Sequence, residues 1–323
     1  MTVKRLRLLP IALVPAVVLG LAACSTSGSG GASASPSASA SAAAITSCPK
    51  PGKASDSVKV SGAVGTTTAP KVEFAKDLSA SKPQATVAVE GKGASLQDGD
   101  YAQVSYAVYQ ASDAKKLGAI GFDQGNPQVL SVGGSGFGAL LACSTVGDRV
   151  VAVGQSSALG FNTGGEIVVV ADVVAQTPTK ATGKAQEQDP SLPTVQDKAD
   201  GEPEITIPSG MKAPSKTQVE VLKQGTGQAI ANGDTALVQY KGVLLDGGKE
   251  FDSSWSKGAP TTFTVSEGSL IKGFVTGLVG QKVGSQVLIV ATAEDAYGAN
   301  PPESSDIPKN AALVFVVDVL AVG

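Results

Sequence analysis

Residues 91–106, GKGASLQDGDYAQVSY, and residues 225–240, GTGQAIANGDTALVQY, align without a gap. They share Gly91/Gly225, Gly93/Gly227, Gly99-Asp100/Gly233-Asp234, Ala102/Ala236, Val104/Val238 and Tyr106/Tyr240 at a constant shift of 134 positions. Further on, Gly136-Phe137 matches Gly273-Phe274 and Val146-Gly147 matches Val283-Gly284, at a shift three residues larger. The apolar runs IVVVADVV and LVFVVDVL then pair Asp172 with Asp318. A repeat this long requires one fold to be built twice. The 323 residues give room for two domains and tails at roughly 100–200 residues per domain.

The copies part company before the final run. Between Val153/Val290 and the last strand the shift grows from 137 to 146, so the second copy carries nine more residues there. They fall in ATAEDAYGANPPESSDIPKNA, where the first copy has GQSSALGFNTGGE with no tyrosine at the matching point. Long loops in compact domains are commonly functional, so the second copy is expected to hold the complete site.

The local patterns are mostly those of strands. TALVQYKGVLL alternates apolar and polar residues, and QVLIVAT and ALVFVVDVL are β-branched runs of strand length bounded by Gly, Pro and Asn. Leu270, Ile271, Phe274, Leu278 and Val279 recur at helical spacing and predict one short helix. Its glycines make it a poor autonomous helix, so packing must hold it. The expected fold class is α+β, each copy an antiparallel sheet curled around one short helix.

The N-terminus reads as a processing signal. Lys4, Arg5 and Arg7 precede an apolar stretch too short and too interrupted by Pro and Gly to be a good membrane span. It ends in Leu21-Ala22-Ala23-Cys24, which resembles the lipobox of bacterial lipoproteins; that resemblance implies cleavage before Cys24, acylation of Cys24 and an extracytoplasmic location on the cell membrane. The alternative is an ordinary secretory signal. A Ser/Gly/Ala tract follows, a flexible tether without apolar periodicity. Export favours a disulfide between Cys48 and Cys143 over two separate thiols.

Other chemistries are excluded by what the chain lacks. It contains no histidine, which removes Ser-His-Asp and Cys-His machinery and most catalytic zinc sites; neither cofactor nor metal is expected. A net charge of −3 leaves no basic footprint for nucleic acid.

From Gln218 to Val322 the second copy resembles the FKBP-type peptidyl-prolyl cis-trans isomerases. The resemblance lies in VQYKGVLLDGGKEFDSS, Pro260, Phe263, SLIKGFVTGLVGQKVG, DAYG, IPKNAALVF and the terminal DVL, in order and with family spacing. It implies catalysis of X-Pro rotation in exported proline-containing clients, and a pocket that also takes macrolides. By resemblance Tyr240, Phe251, Asp252, Phe274, Tyr297 and Phe315 carry the site, with Leu270, Ile271 and Ile307 contacting substrate. Phe274 would stand under the prolyl ring where the family usually has Trp. Tyr297 would donate its hydroxyl and Ile271 its N–H to substrate carbonyls, and Asp252 with Tyr240 would polarise the pocket. Trp255 reads as a lip or packing residue, and Lys257 as a simple partner of Asp252.

The first copy is similar to a degenerate member of that family. It keeps Tyr106, Phe122-Asp123 and Phe137 but lacks the tyrosine loop, so it is expected to be a spacer, a stabilising neighbour or a chain-binding surface. Thr261, where a pocket-edge Phe is common, implies reduced macrolide affinity. The expected organisation is a signal peptide over 1–23, a lipid-anchored tether over 24–55, a degenerate domain over 56–177, a polar linker over 178–204 and an isomerase domain over 205–323. The alternative function is a non-catalytic chaperone or binding lipoprotein on the same fold.

Overall fold

The computed structural model describes residues 50–122 and 127–323. The expected signal peptide, Cys24, Cys48, Asp123 and most of the tether lie outside the described residues. The described residues fall in one compact unit, Ala42–Gly323.

A short helix α1 (Lys53–Ser57) and a hairpin, β1 (Lys59–Ser61) with β2 (Lys71–Glu73), lead into β3 (Gln84–Val89), β4 (Tyr101–Gln110), β5 (Lys116–Ile120), β6 (Gln128–Ser131), α2 (Phe137–Leu140), β7 (Arg149–Gln155) and β8 (Glu166–Thr177). The chain continues through β9 (Lys184–Ala185) and a second hairpin, β10 (Thr194–Asp197) with β11 (Pro203–Thr206). Then come β12 (Gln218–Gln224), β13 (Thr235–Leu244), β14 (Glu250–Ser253), β15 (Thr261–Thr264), α3 (Lys272–Leu278), β16 (Gln286–Ala291) and β17 (Leu313–Val322).

Two antiparallel sheets result. The first has strand order β3-β7-β8-β4-β5 with β6 also on β4; the second has β14-β13-β17-β16-β12-β9 with β15 also on β13. The ladders repeat in detail. Arg149 pairs with Asp172 as Gln286 pairs with Asp318, and a register shift falls at Gln103/Val104 in one sheet and at Leu237/Val238 in the other.

Helix α3 lies on β16 because two of its residues lack side chains. A Cβ at Gly273 would sit 2.7 Å from Cβ of Ala291, and one at Gly277 2.2 Å from Cδ1 of Ile289. The glycines that weaken the helix alone are therefore what let it close on the sheet.

Each sheet is buried on both faces. In β17, Leu313, Phe315, Val317 and Val319 join the helix-side cluster, whereas Val314 and Val316 join a cluster on the opposite face with Leu192, Val195, Leu222 and Leu288. In β8, Ile167, Val169, Ala171 and Val173 face α2, and Val168 and Val170 face a cluster containing Ala54 and Val58 of the preceding segment. Period-two strands with both faces covered must read as unbroken apolar runs.

The stretch 178–204 is not the free linker that its polarity suggests. Strand β9 extends the second sheet by pairing with β12, Leu192 and Val195 are buried against it, and the ring of Trp255 lies over Gly201. Its few inward residues alternate with polar ones across a short hairpin, a pattern too brief to stand out among turn residues. The two sheets also share a small cluster, Leu237, Leu320 and Ala321 with Tyr101 and Val129, so they do not hang apart on a flexible connection.

Truncating Leu192 to Ala in the full chain is expected to lower unfolding free energy by about 2–3 kcal/mol in urea titration, whereas a free linker would tolerate the change.

Candidate active site

The helix-side face of the second sheet opens into a cavity of about 360 Å3 lined by Tyr240, Phe251, Asp252, Phe263, Leu270, Ile271, Phe274, Tyr297 and Phe315, with Gly268 and Ser269 at the edge. Eight of the nine residues carried over from the family line it. Ile307 is buried in the cluster behind. Phe263 is a ninth wall that the carried-over set lacks; it lies two residues after Thr261 on β15, and period-two alternation on that strand is the signal that could have found it. A second cavity, about 380 Å3, lies between the sheets among Ile120, Pro127, Val129, Leu237 and Val322. Among the described residues it gathers no ionisable side chain, whereas the aromatic cup brings Asp252 and two tyrosine hydroxyls together.

The rings hold one another edge to face. Phe274 stands at the centre, 5.2 Å from Phe315, 5.7 Å from Phe263 and 6.3 Å from Tyr240 between centroids, and Phe251 meets Phe315 at 5.5 Å. Contacts of this kind are favoured by the ring quadrupoles beyond the area they bury. Gly242 leaves the space for two of them. A Cβ there would lie 2.7 Å from Cζ of Phe251 and 3.0 Å from Cε1 of Phe315.

The polar groups are gathered at one side. The Tyr240 hydroxyl donates to Oδ2 of Asp252 at 2.6 Å, and Nζ of Lys257 donates to Oδ1 of Asp252 at 2.5 Å and lies 5.8 Å from the Tyr240 ring centre. Burial, followed by the bond to Asp252 and its charge, pushes the Tyr240 hydroxyl up to about 12. It therefore stays a donor at all physiological pH values. Burial raises the Asp252 carboxyl, but the bonds from Lys257 and Tyr240 together outweigh it and hold the group below the usual carboxylate range. The Lys257–Asp252 pair is largely exposed, at 59% and 39% of the side chains, so it sets charge at the rim more than it stabilises the fold.

Tyr297 is positioned by the loop between β16 and β17. Asp295 accepts from Thr217 and Lys272 through its carboxylate, and its carbonyl accepts the N–H of Gly273, which ties the loop to the start of α3. Asn310 N–H donates to the carbonyl of Gly298 and closes the loop on itself. Burial first and the charge of Asp252 second raise the Tyr297 hydroxyl. Among the described residues neither that hydroxyl nor the Ile271 N–H has a hydrogen-bond partner, and both residues line the cup. Two donors are thus available to carbonyl oxygens of a bound chain.

The family model for FKBP-type peptidyl-prolyl cis-trans isomerases matches residues 226–320. An FK506-binding protein of Streptomyces anulatus is 34% identical over 120 residues, which is 37% of this chain and 96% of that protein. FK506-binding protein 1A of Neurospora crassa is 39% identical over 106 residues, 32% of this chain and 87% of that protein. The isomerase FkpA of Escherichia coli is 41% identical over 115 residues, 35% of this chain and 40% of that protein; its crystal structure aligns over 40% of this chain and 51% of that one at a TM-score of 0.30. This chain belongs to the FKBP-type peptidyl-prolyl cis-trans isomerase family.

The first sheet departs from this cup position by position. Val108 opposes Gly118 and Val169 where Gly242 opposes Asp252 and Phe315, and Ala102 opposes Leu130 where Ala236 opposes Phe263. The register therefore sets Leu117-Gly118, not Phe122-Asp123, against Phe251-Asp252. Phe122 is buried on the opposite face, beside Tyr109 and Val168; the shift of 134 persists through β5, and matching the Phe-Asp letters breaks it. Without a carboxylate there, the Tyr106 hydroxyl donates to Oε1 of Gln128 at 2.6 Å. Cys143 is in a disulfide; Cys48 lies outside the described residues.

On the first sheet a ring from the chain's own loop packs against the tyrosine and phenylalanine that match Tyr240 and Phe274. Phe161, on the loop after β7, has its ring centre 5.9 Å from Tyr106 and 6.1 Å from Phe137. Its N–H donates to the carbonyl of Ser156, and Leu159 beside it is fully buried. Phe161→Ala is expected to cost about 2–4 kcal/mol of unfolding free energy while leaving X-Pro isomerase activity unchanged, read by denaturation and peptide assay on the same sample.

Proposed function

We propose that the cup on the second sheet turns X-Pro bonds in exported polypeptides, that the first sheet is a degenerate copy of the same fold, and that the protein is held outside the cytoplasmic membrane through acylated Cys24. The observation that carries the catalytic part is the pairing of an aromatic cup with two unpartnered donors, the Tyr297 hydroxyl and the Ile271 N–H.

Rotation about X-Pro must break amide resonance, a barrier of about 18–20 kcal/mol. No proton has to move and no covalent bond has to form. The planar amide is the more polar and better hydrated form, so withdrawing water disfavours it relative to the twisted one, and interactions made better with the twisted amide lower the barrier. In this reading the prolyl ring rests on Phe274 between Tyr240, Phe251 and Phe315. Tyr297 and Ile271 hold flanking carbonyls so that the bond turns against a fixed frame. Leu270 and Ile307 complete the apolar wall, Ile307 from behind. Asp252, kept ionised by Lys257 and Tyr240, places negative charge beside the turning carbonyl, whose oxygen loses charge as resonance is lost.

Among the described residues the first sheet has Gly118 where Asp252 stands and no ring at the positions of Phe251, Phe263 and Phe315, and Phe161 takes the place of a ligand. It serves as scaffold. Macrolides of the FK506 class are proposed as ligands of the second cup, with affinity reduced by Thr261 and by Phe in place of Trp at position 274.

Tyr297→Ala and Phe274→Ala are each expected to lower kcat/KM on an X-Pro peptide by about tenfold or more in a cis/trans assay. Unchanged rates in both variants would reject the site, and a wild-type rate equal to buffer would leave a binding module. For the anchor, fatty-acid labelling is expected in the wild type and not in Cys24→Ala; equal labelling of both would reject Cys24 as the acylated residue.

A further inference from the structure

The two sheets bury an aspartate at the same place in the ladder, and they neutralise it differently. In the first, Asp172 is bound in the plane of Arg149, whose Nε and Nη2 reach its two oxygens at 2.6 and 2.8 Å, with both side chains fully buried. The N–H of Gly65 donates to the same carboxylate, and Arg149 also donates to the carbonyls of Gly62 and Ala63, so the pair fastens the segment ahead of the sheet. In the second, Gln286 stands where Arg149 stands. Asp318 still fastens the covering chain, since its Oδ2 accepts the N–H of Ala181 at 2.8 Å while its Oδ1 accepts Nε2 of Gln286 at 2.9 Å.

This carboxylate has lost its countercharge while remaining 2% exposed. The groups around it come from every neighbouring element. Gln239 opposes it on β13 and Gln286 on β16, the Ala181 amide approaches from the covering segment, and the Asp197–Lys223 pair lies beyond Gln286, whose Nε2 also donates to Asp197 at 3.0 Å. Two neutral donors offset only part of the cost of burying a charge.

We propose that Asp318 is an acid-strengthened clasp: when it is protonated the segment 181–206 is held more tightly on the back of the second sheet, and when it ionises that hold weakens. Burial, opposed by the bonds from Ala181 and Gln286, raises the group to about 6, against an ordinary unfolded aspartate near 3.9. The folded state therefore binds the proton in a window where the released state does not. Stability from this site is fully present below about pH 4 and falls as pH rises to about 6, by up to about a hundredfold in the opening equilibrium. That sign is opposite to the one given by Asp252 and Asp295, whose carboxyls are lowered.

The test is amide hydrogen exchange of residues 181–206 in the full chain at about pH 4 and about pH 7, corrected for intrinsic rates, in wild type, Asp318→Asn and Gln286→Arg. Asn imitates the protonated acid, and Arg restores the pairing of the first sheet. Wild-type protection is expected to fall by tenfold or more relative to Asp318→Asn across that range, with Gln286→Arg also flat. A wild-type ratio to Asp318→Asn that stays within about twofold would overturn the proposal, as would equal loss of protection by Asp318→Asn at both pH values, the mark of a purely structural carboxylate. Should Asp318→Asn fail to fold, a Gln286→Arg protein with the same pH response as wild type overturns it instead.

Discussion

Strand β17 presents apolar side chains to both sides, and each side needs a cover. On one side the cover is α3 with the aromatic cup; on the other it is the segment from β9 to β11. Neither cover is large enough to stand alone. Burial of a Leu or Val side chain is worth about 1.5–3 kcal/mol, and the covering segment contributes few of them. The sheet is the common template: its double-faced burial obliges the chain ahead of β12 to dock, and the first sheet imposes the same obligation on the chain ahead of β3.

The same strand also divides labour along its length. Phe315 enters the cup, and three residues on Asp318 turns the other way in the ladder to meet Ala181 and Gln286. The cup face carries no group that titrates near neutrality, since the Tyr240 hydroxyl is pushed up to about 12 and the Asp252 carboxyl is lowered. The titrating group sits on the structural side. A change of pH near 6 therefore acts on how the fold is held together before it acts on the chemistry.

Much of this was legible from letters. The repeat corresponds to two sheets whose ladders share a register shift, the terminal apolar runs marked the central strands, and the family motifs carried eight residues onto the cup walls. Two things were hidden. The docking of 178–204 rests on a handful of inward residues, Leu192 and Val195 among them, scattered through a polar stretch with no period long enough to detect. The fate of the first copy turned on register: Phe122-Asp123 looks like Phe251-Asp252 as letters, but strand pairing counts positions, and a displaced match sends Phe122 to the opposite face. Phe161 gave no signal either, because a lone aromatic in a Gly-rich loop does not announce what it packs against.

Gly242 carries a consequence for how such a cup can change. The position is walled by Phe251 and Phe315, at 2.7 and 3.0 Å from where a side chain would begin. The aperture is thus set by an atom that is not there. Variation at this residue can proceed in one direction only, since every replacement adds atoms against the two rings and none can free space there. A wider mouth has to come from the other walls of the cup, while this side of the strand limits the largest group that will fit.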